Sequence, residues 1–165
     1  MKESPNDIDA LQALLDASYE SGGGYLKTIQ QSSLRLSAQE VVDHFDGACI
    51  CDLATVDRGG SPYVAPIDVL FIQGKAWFSS SADSLRFKNL RVNPRVSLAR
   101  TVGSKISILI HGMANIVEVS SGDHGFLHDL CIECYGKDYD SWGLWGYPWA
   151  WIEPKRMFAS RLPGG

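Results

Sequence analysis

The run Phe78-Ser79-Ser80-Ser81-Ala82-Asp83-Ser84-Leu85-Arg86-Phe87-Lys88 carries the clearest chemistry in the chain. The hydroxyls of Ser79, Ser80, Ser81 and Ser84 stand beside the cations Arg86 and Lys88, where a strand pattern gives way to a helical one. A helix start offers unpaired backbone N–H groups and the positive end of the peptide dipoles, so anions settle there. Hydroxyl donors and a guanidinium add charge-assisted hydrogen bonds. These residues fit a phosphate site. They fit equally a plain helix cap, with Ser81 or Asp83 as the capping residue and the cations solvated.

Other residues carry weaker signals. Asp68 shares a strand face with Val64, Pro66 and Leu70. A carboxylate there can act as an acid or tune a cofactor, or it can be a hydrogen-bonded residue at a barrel mouth. Cys49 and Cys51 lie on one strand face, and Cys131 and Cys134 form a CxxC with His124 and His128 one helical turn apart upstream. The two cysteine pairs are about eighty residues apart, which matches no zinc-finger spacing, so they are expected to be reduced thiols and no metal site is predicted. Trp142, Trp145, Tyr147, Trp149 and Trp151 can stack on a planar ring, or pack a core or subunit contact. Hydrolase and nucleotidase chemistry lacks support, because the sequence holds no GxSxG, HExxH or Walker loop.

The elements that position these residues can be read from periodicity. Ser4-Pro5 starts a helix that Ile8, Leu11, Leu14 and Leu15 carry to about Tyr19, and Ser21 to Gly24 ends it. Tyr25 to Leu36 supports no assignment. Ser37 and Glu40 form a capping box for a short helix through about Phe45. Residues 1–45 thus read as a helical arm and 46–165 as the main domain. Strands are predicted over 48–56, 63–72, 75–80, 95–102, 105–119 and 149–159. Helices are predicted over 83–91 and 122–135, with a loop at 136–147. The first strand, apolar on both faces, suits a strand covered on two sides. Pro66 marks a strand edge, a bulge or a gap that faces a ligand, and Gly112 marks a bulge or close backbone approach. Short antiparallel strands at hairpin spacing favour a small closed or half-closed barrel.

Composition bounds the rest. A chain of 165 residues with 45% hydrophobic and 21% charged residues suits one globular domain. A net charge of -4 argues against general nucleic-acid binding. No apolar run approaches the roughly 20 residues of a membrane helix. The first ten residues lack the basic and apolar regions of a secretory signal, which predicts a soluble, cytoplasmic protein.

Leu53-Ala54-Thr55-Val56-Asp57, Ser61 to Ile67, Ala76 to Ser81 and, most specifically, Ser84 to Leu98 with its Asn93-Pro94-Arg95-Val96-Ser97-Leu98 resemble the pyridoxamine 5'-phosphate oxidase-like family of FMN-binding split barrels. The resemblance covers about Ala48 to Val119. It implies a mainly β (α+β) fold, a six-stranded antiparallel split barrel with flanking helices. It also implies a homodimer with FMN at the subunit interface. By position, Tyr63, Val64, Ala65, Pro66 and Asp68 belong to the strand beneath the isoalloxazine. Ser79, Ser80 and Ser84 fall at the phosphate end. Leu85 and Arg86 occupy the family's basic pair, Lys88 is a second cation nearby, and Ser107 is a ring-contacting residue. Where pyridoxamine phosphate oxidases carry cations, this chain has Tyr63, Asp68 and Leu85. Those changes point away from vitamin B6 oxidation and towards a flavin or deazaflavin reductase. The expected chemistry is hydride transfer through flavin N5 from NADH or NADPH to a small acceptor, with no catalytic side chain assigned. Alternatives are use of the deazaflavin F420 on the same scaffold, or non-catalytic binding of flavin or haem; the resemblance makes His111, just before Gly112, the candidate haem ligand.

Overall fold

The computed structural model describes residues 3–23, 32–117, 119 and 124–162. Its elements are α1 (Pro5–Ser21), a 3-10 turn (Ser32–Leu34), α2 (Ala38–Asp43), β1 (Cys49–Val56), β2 (Pro62–Ile72) and β3 (Lys75–Ser79). There follow α3 (Leu85–Val92), β4 (Arg95–Val102), β5 (Ile106–Val117), α4 (Gly125–Tyr135), a 3-10 segment (Lys137–Trp142) and β6 (Trp149–Arg161). The end of the glycine joint at Gly24, most of the unassigned segment after it and the expected helix start at Gly122 lie outside the described residues.

The six strands close into an antiparallel barrel in the order β1-β2-β3-β6-β5-β4. Tight turns make this order possible. Gln73 and Gly74 both take positive φ (53° and 70°), the twist that a two-residue hairpin between β2 and β3 requires. Further on, the register of β5 against β6 shifts between His111 and Gly112. A Cβ at Gly112 would lie 2.1 Å from the Glu153 carbonyl oxygen, so only glycine allows this close approach. Inside the barrel, Leu53, Val69, Phe78, Leu98, Ile108, Ile110 and Ile152 form the core.

The structure revises the reading of β1. Cys49, Cys51, Leu53 and Thr55 point inward and are buried, whereas Ile50 is 63% exposed on the outer face. No described helix covers this part of the sheet, so β1 is apolar on both faces but buried on one. The next strand, β2, shares the uncovered face through Val64, which is 68% exposed.

The N-terminal arm completes the barrel instead of decorating it. β3 pairs with β6 only over Trp149 to Ile152, leaving the edge of β6 from Met157 onward without that neighbour. The arm supplies the missing partners. Met157 N–H donates to Ser18 Oγ at 2.9 Å, and Ala159 N–H donates to the Tyr19 hydroxyl at 2.9 Å. That hydroxyl donates in turn to Ala159 O at 2.6 Å, and Leu36 N–H donates to the same oxygen at 2.9 Å. Leu11, Leu15, Val41 and Phe45 belong to the barrel core, with Phe45 stacked on Phe71 at 4.6 Å. Both arm helices begin with capping boxes, Ser4 with Asp7 and Ser37 with Glu40.

At the Thr55 end of β1, α3 inserts Phe87 and Leu90 into the same core. Asn89 Nδ2 donates to Thr55 Oγ1 at 3.1 Å, which satisfies two buried polar groups. A second apolar cluster, with Leu70, Trp77 and Trp149 on the sheet and Leu127, Cys131 and Tyr139 above it, seats α4 and the 3-10 segment on the outside of the barrel.

Candidate functional site

The site lies where the barrel splits. β2 pairs with β1 from Pro62 to Val69 but with β3 only from Leu70 to Ile72. The register places Asp68 opposite Ser79 just where the β2–β3 ladder stops. Before that point, the edge of β2 away from β1 has no strand beside it. Arg86 Nη2 donates to Pro66 O at 3.2 Å across this gap, so the Pro66 carbonyl faces the open edge. Backbone polar groups alternate sides along a strand, so those of Val64 and Asp68 face it too. Pro66 is tolerated here because the missing N–H would point into the gap.

α3 brings its N-terminus to the same place. Its N-cap is Ser84, whose Oγ accepts from Phe87 N–H at 3.4 Å. The helix therefore starts at Leu85, and the cap is neither Ser81 nor Asp83. Ser81 instead fixes the preceding turn, its Oγ accepting from Asp83 N–H at 3.3 Å and its carbonyl accepting from Ser84 N–H at 3.0 Å. Arg86 is half-buried, and desolvation draws its pKa below the ordinary guanidinium range; it remains charged at any neutral pH. Lys88 points elsewhere. It sits about 200° around the helix from Arg86 and approaches Asp83 at 3.9 Å in solvent.

Beside the gap is a cavity of about 370 Å3. Its floor is the outer face of the sheet at Asp68, Leu70, Ser79 and Trp149, continued by Ser80 and Ser81. Tyr135 and Cys131 of α4, Tyr139 and Trp142 of the 3-10 segment, and Leu144 and Tyr147 of the following loop form its roof and mouth. The roof is rigid for physical reasons. Tyr135 and Tyr139 stack at 5.7 Å, Trp142 packs edge-on to both, and His128 Nε2 meets Asp140 Oδ1 at 2.6 Å to tie the 3-10 segment to α4. The Tyr135 phenol is pushed above its ordinary range, first by burial and then by the neighbouring Asp68 carboxylate, to which it is hydrogen-bonded. Trp149 Nε1–H is buried without an acceptor among the described residues.

Of the residues singled out in the sequence, Val64, Pro66, Asp68, Ser79, Ser80, Ser84 and Arg86 gather around the split, with Ala65 half-buried between them. The Ser79 hydroxyl is occupied, donating to Pro148 O at 3.1 Å. Leu85 is 51% exposed at the first turn of α3. Tyr63 is at the far end of β2, where its hydroxyl donates to Asp57 Oδ2 at 3.4 Å. Ser107 is not brought in. It pairs with Ser160 while Ser79 pairs with Trp149, eleven residues apart along β6, or roughly 35 Å of strand. His111 shares its Nδ1 with the Ser97 hydroxyl at 2.8 Å on the outer face. Cys49 and Cys51 are inside the barrel, Cys131 and Cys134 are on α4 with Cys134 beside Ala48, and no group of three metal-ligating side chains occurs among the described residues. Sequence reasoning missed Tyr135 and Tyr139. Their spacing of four places them near one another, but nothing local to them points to Asp68, 67 residues earlier.

The profile of the pyridoxamine 5'-phosphate oxidase family matches residues 37–160. The chain belongs to this family. The match extends well beyond the motif-bearing region, taking in α2 and β6, so the family fold includes part of the arm. Comparison with curated proteins gives no match. Among solved structures, a conserved hypothetical protein of Mycobacterium tuberculosis is similar at TM-score 0.67 and 22% identity, over 80% of this chain and 89% of that one. HutZ, the haem storage protein of Vibrio cholerae, is similar at TM-score 0.64 and 22% identity, over 74% and 93%. An FAD-binding protein of Mesorhizobium loti is similar at TM-score 0.58 and 20% identity, over 76% and 95%. At these identities the neighbours share the split-barrel fold.

The donor set at the split fits the flavin that this family implies. A phosphate needs hydroxyls, a helix N-terminus and a fixed cation, and Ser80, Ser84 and Arg86 supply them. A planar ring with carbonyl and imide edges needs open backbone donors and acceptors, and the free edge of β2 supplies those.

Proposed function

We propose that the protein is an FMN-dependent oxidoreductase. The observation that carries this reading is the meeting of three features at the split: the open edge of β2, the capped start of α3 with Arg86, and an aromatic-roofed cavity. Ser80, Ser84 and Arg86 would hold the phosphate, and the backbone of Val64 to Asp68 would orient the ring. When bound, the flavin supplies a centre that accepts and donates hydride at N5. The protein's own contribution is placement and exclusion of water. The roof from Tyr135 to Tyr147 shields one side of the split, and Asp68, held by Tyr135, sets a negative charge there. The reading agrees with the FAD-binding protein among the structural neighbours.

The protein is proposed to work as a homodimer, with the cofactor between subunits. Ile50 and Val64 are exposed apolar side chains on the sheet face that no described helix covers, with Asp52 and Pro66 between them. Ser107 is too far along the barrel to meet the split of its own chain, so in a dimer it would face the partner's site. The electron donor is proposed to be NADH or NADPH. Anaerobic addition of either should bleach the visible absorbance of the FMN-loaded protein; flavin that stays oxidised with both would contradict the reductase reading. Parallel titrations with F420 and haem separate the rival cofactors on the same scaffold.

A further inference from the structure

The roofed cavity has a composition that the flavin reading does not explain. Five aromatic rings line it: Tyr135, Tyr139, Trp142, Tyr147 and Trp149. Its one charged lining residue is Asp68, with no lysine, arginine or histidine among the lining residues. An anion would meet a carboxylate there and no cation. A neutral apolar molecule would leave the charge of that carboxylate unmatched. A cation satisfies both features, because ring faces attract positive charge through their quadrupoles and the carboxylate neutralises it.

The geometry agrees. Tyr135 and Tyr139 lie nearly parallel, 15° between their planes, and Trp142 stands across them at 65° and 71°. The three rings pack on one another and line the cavity as one wall, with ring surface in two orientations. Trp142 and Tyr147 are 50% and 38% exposed, so the mouth of the cavity presents aromatic surface to solvent. Asp68 is anchored at the floor by the Tyr135 hydroxyl, which fixes the carboxylate without neutralising it. A volume of about 370 Å3 admits a small molecule but not a dinucleotide.

We propose that this cavity binds a small organic cation, an alkylammonium or pyridinium group, held by Asp68 against the rings of Tyr135, Tyr139, Trp142 and Tyr147. The proposal names the substrate class of the site described above and rests on the flavin reading for its catalytic meaning, though not for binding itself. Asp68 and these aromatics are specificity-determining residues.

The test uses choline and its uncharged isostere 3,3-dimethylbutan-1-ol, followed by tryptophan fluorescence and calorimetry on the full chain. Choline should bind saturably, and the isostere at least tenfold more weakly. Asp68→Asn should weaken choline at least tenfold and leave the isostere unchanged. Trp142→Ala, at a half-exposed position that a folded protein tolerates, should weaken choline several-fold. Arg86→Ala should weaken FMN at least tenfold but keep choline, so a failure of the flavin reading and a failure of this one are told apart. Equal binding of the two probes would overturn the proposal, as would full choline affinity in Asp68→Asn. No saturable binding by choline or N-methylpyridinium at millimolar concentrations, or choline binding that vanishes once FMN is loaded, would overturn it as well.

Discussion

At the residue scale, the account rests on Arg86. Its guanidinium bridges α3 to Pro66 O on the open edge of β2, so one side chain braces the split and, in the proposed flavin site, would present charge to the phosphate. A hydrogen bond to a charged group contributes about 1.5–3 kcal/mol. Arg86→Ala should therefore weaken FMN affinity roughly tenfold to a hundredfold, read by flavin fluorescence quenching; unchanged affinity would place the phosphate elsewhere. A second residue-scale prediction concerns pH. Burial pushes the Cys51 thiol up to about 12. The unfolded chain ionises this thiol near its ordinary value of about 8.5 while the folded chain does not. The stabilisation is thus full below that value and is lost as pH rises towards 12. Tyr135 and Tyr139, also raised chiefly by burial, act in the same direction. Urea midpoints should fall between pH 8 and pH 10 in wild type, with a shallower fall in Cys51→Ala; parallel slopes would contradict the assignment. The clustering of Ser80, Ser84 and Arg86 was legible in sequence, because they are close along the chain. The pairing of Asp68 with Tyr135 was not, since only the fold sets α4 over β2.

At the element scale, the hairpins, the helix start at Ser4-Pro5, the capping box of Ser37 and Glu40 and the bulge at Gly112 follow from short-range signals, and the structure has them all. Gly112→Ala forces a Cβ against the Glu153 carbonyl. It should cost about 3 kcal/mol and lower the melting temperature by roughly 10 °C, measurable by thermal denaturation; a wild-type melt would mean that the strands can part without cost there. Three element-level expectations needed revision. α3 begins at Leu85 because Ser84 wins the capping contact. β1 is covered on one face only, because apolar residues on both faces do not say what covers each. The loop after α4 contains a 3-10 segment, Lys137–Trp142, whose short turn leaves little periodicity to read.

At the scale of the whole molecule, the arm and barrel prove to be one structure. The edge of β6 donates hydrogen bonds to Ser18 and Tyr19 and accepts them from Tyr19 and Leu36, contacts between residues about 120 to 140 apart that no periodicity announces. The antiparallel barrel itself was legible, since six strands with hairpin spacing and the Asn93-Pro94-Arg95 signature leave few other topologies. Assembly is the next level. If the uncovered face of β1 and β2 is the subunit contact, Val64→Glu, which sets a carboxylate at an exposed apolar position of that face, should convert a dimer to a folded monomer by sedimentation velocity. A monomeric wild type would remove the interface from the account. The most direct test of the central claim is titration of the purified protein with FMN, followed by quenching of flavin fluorescence. The account predicts saturable binding of one flavin per chain at roughly micromolar concentrations. A protein that is colourless as isolated and takes up no added FMN would contradict it.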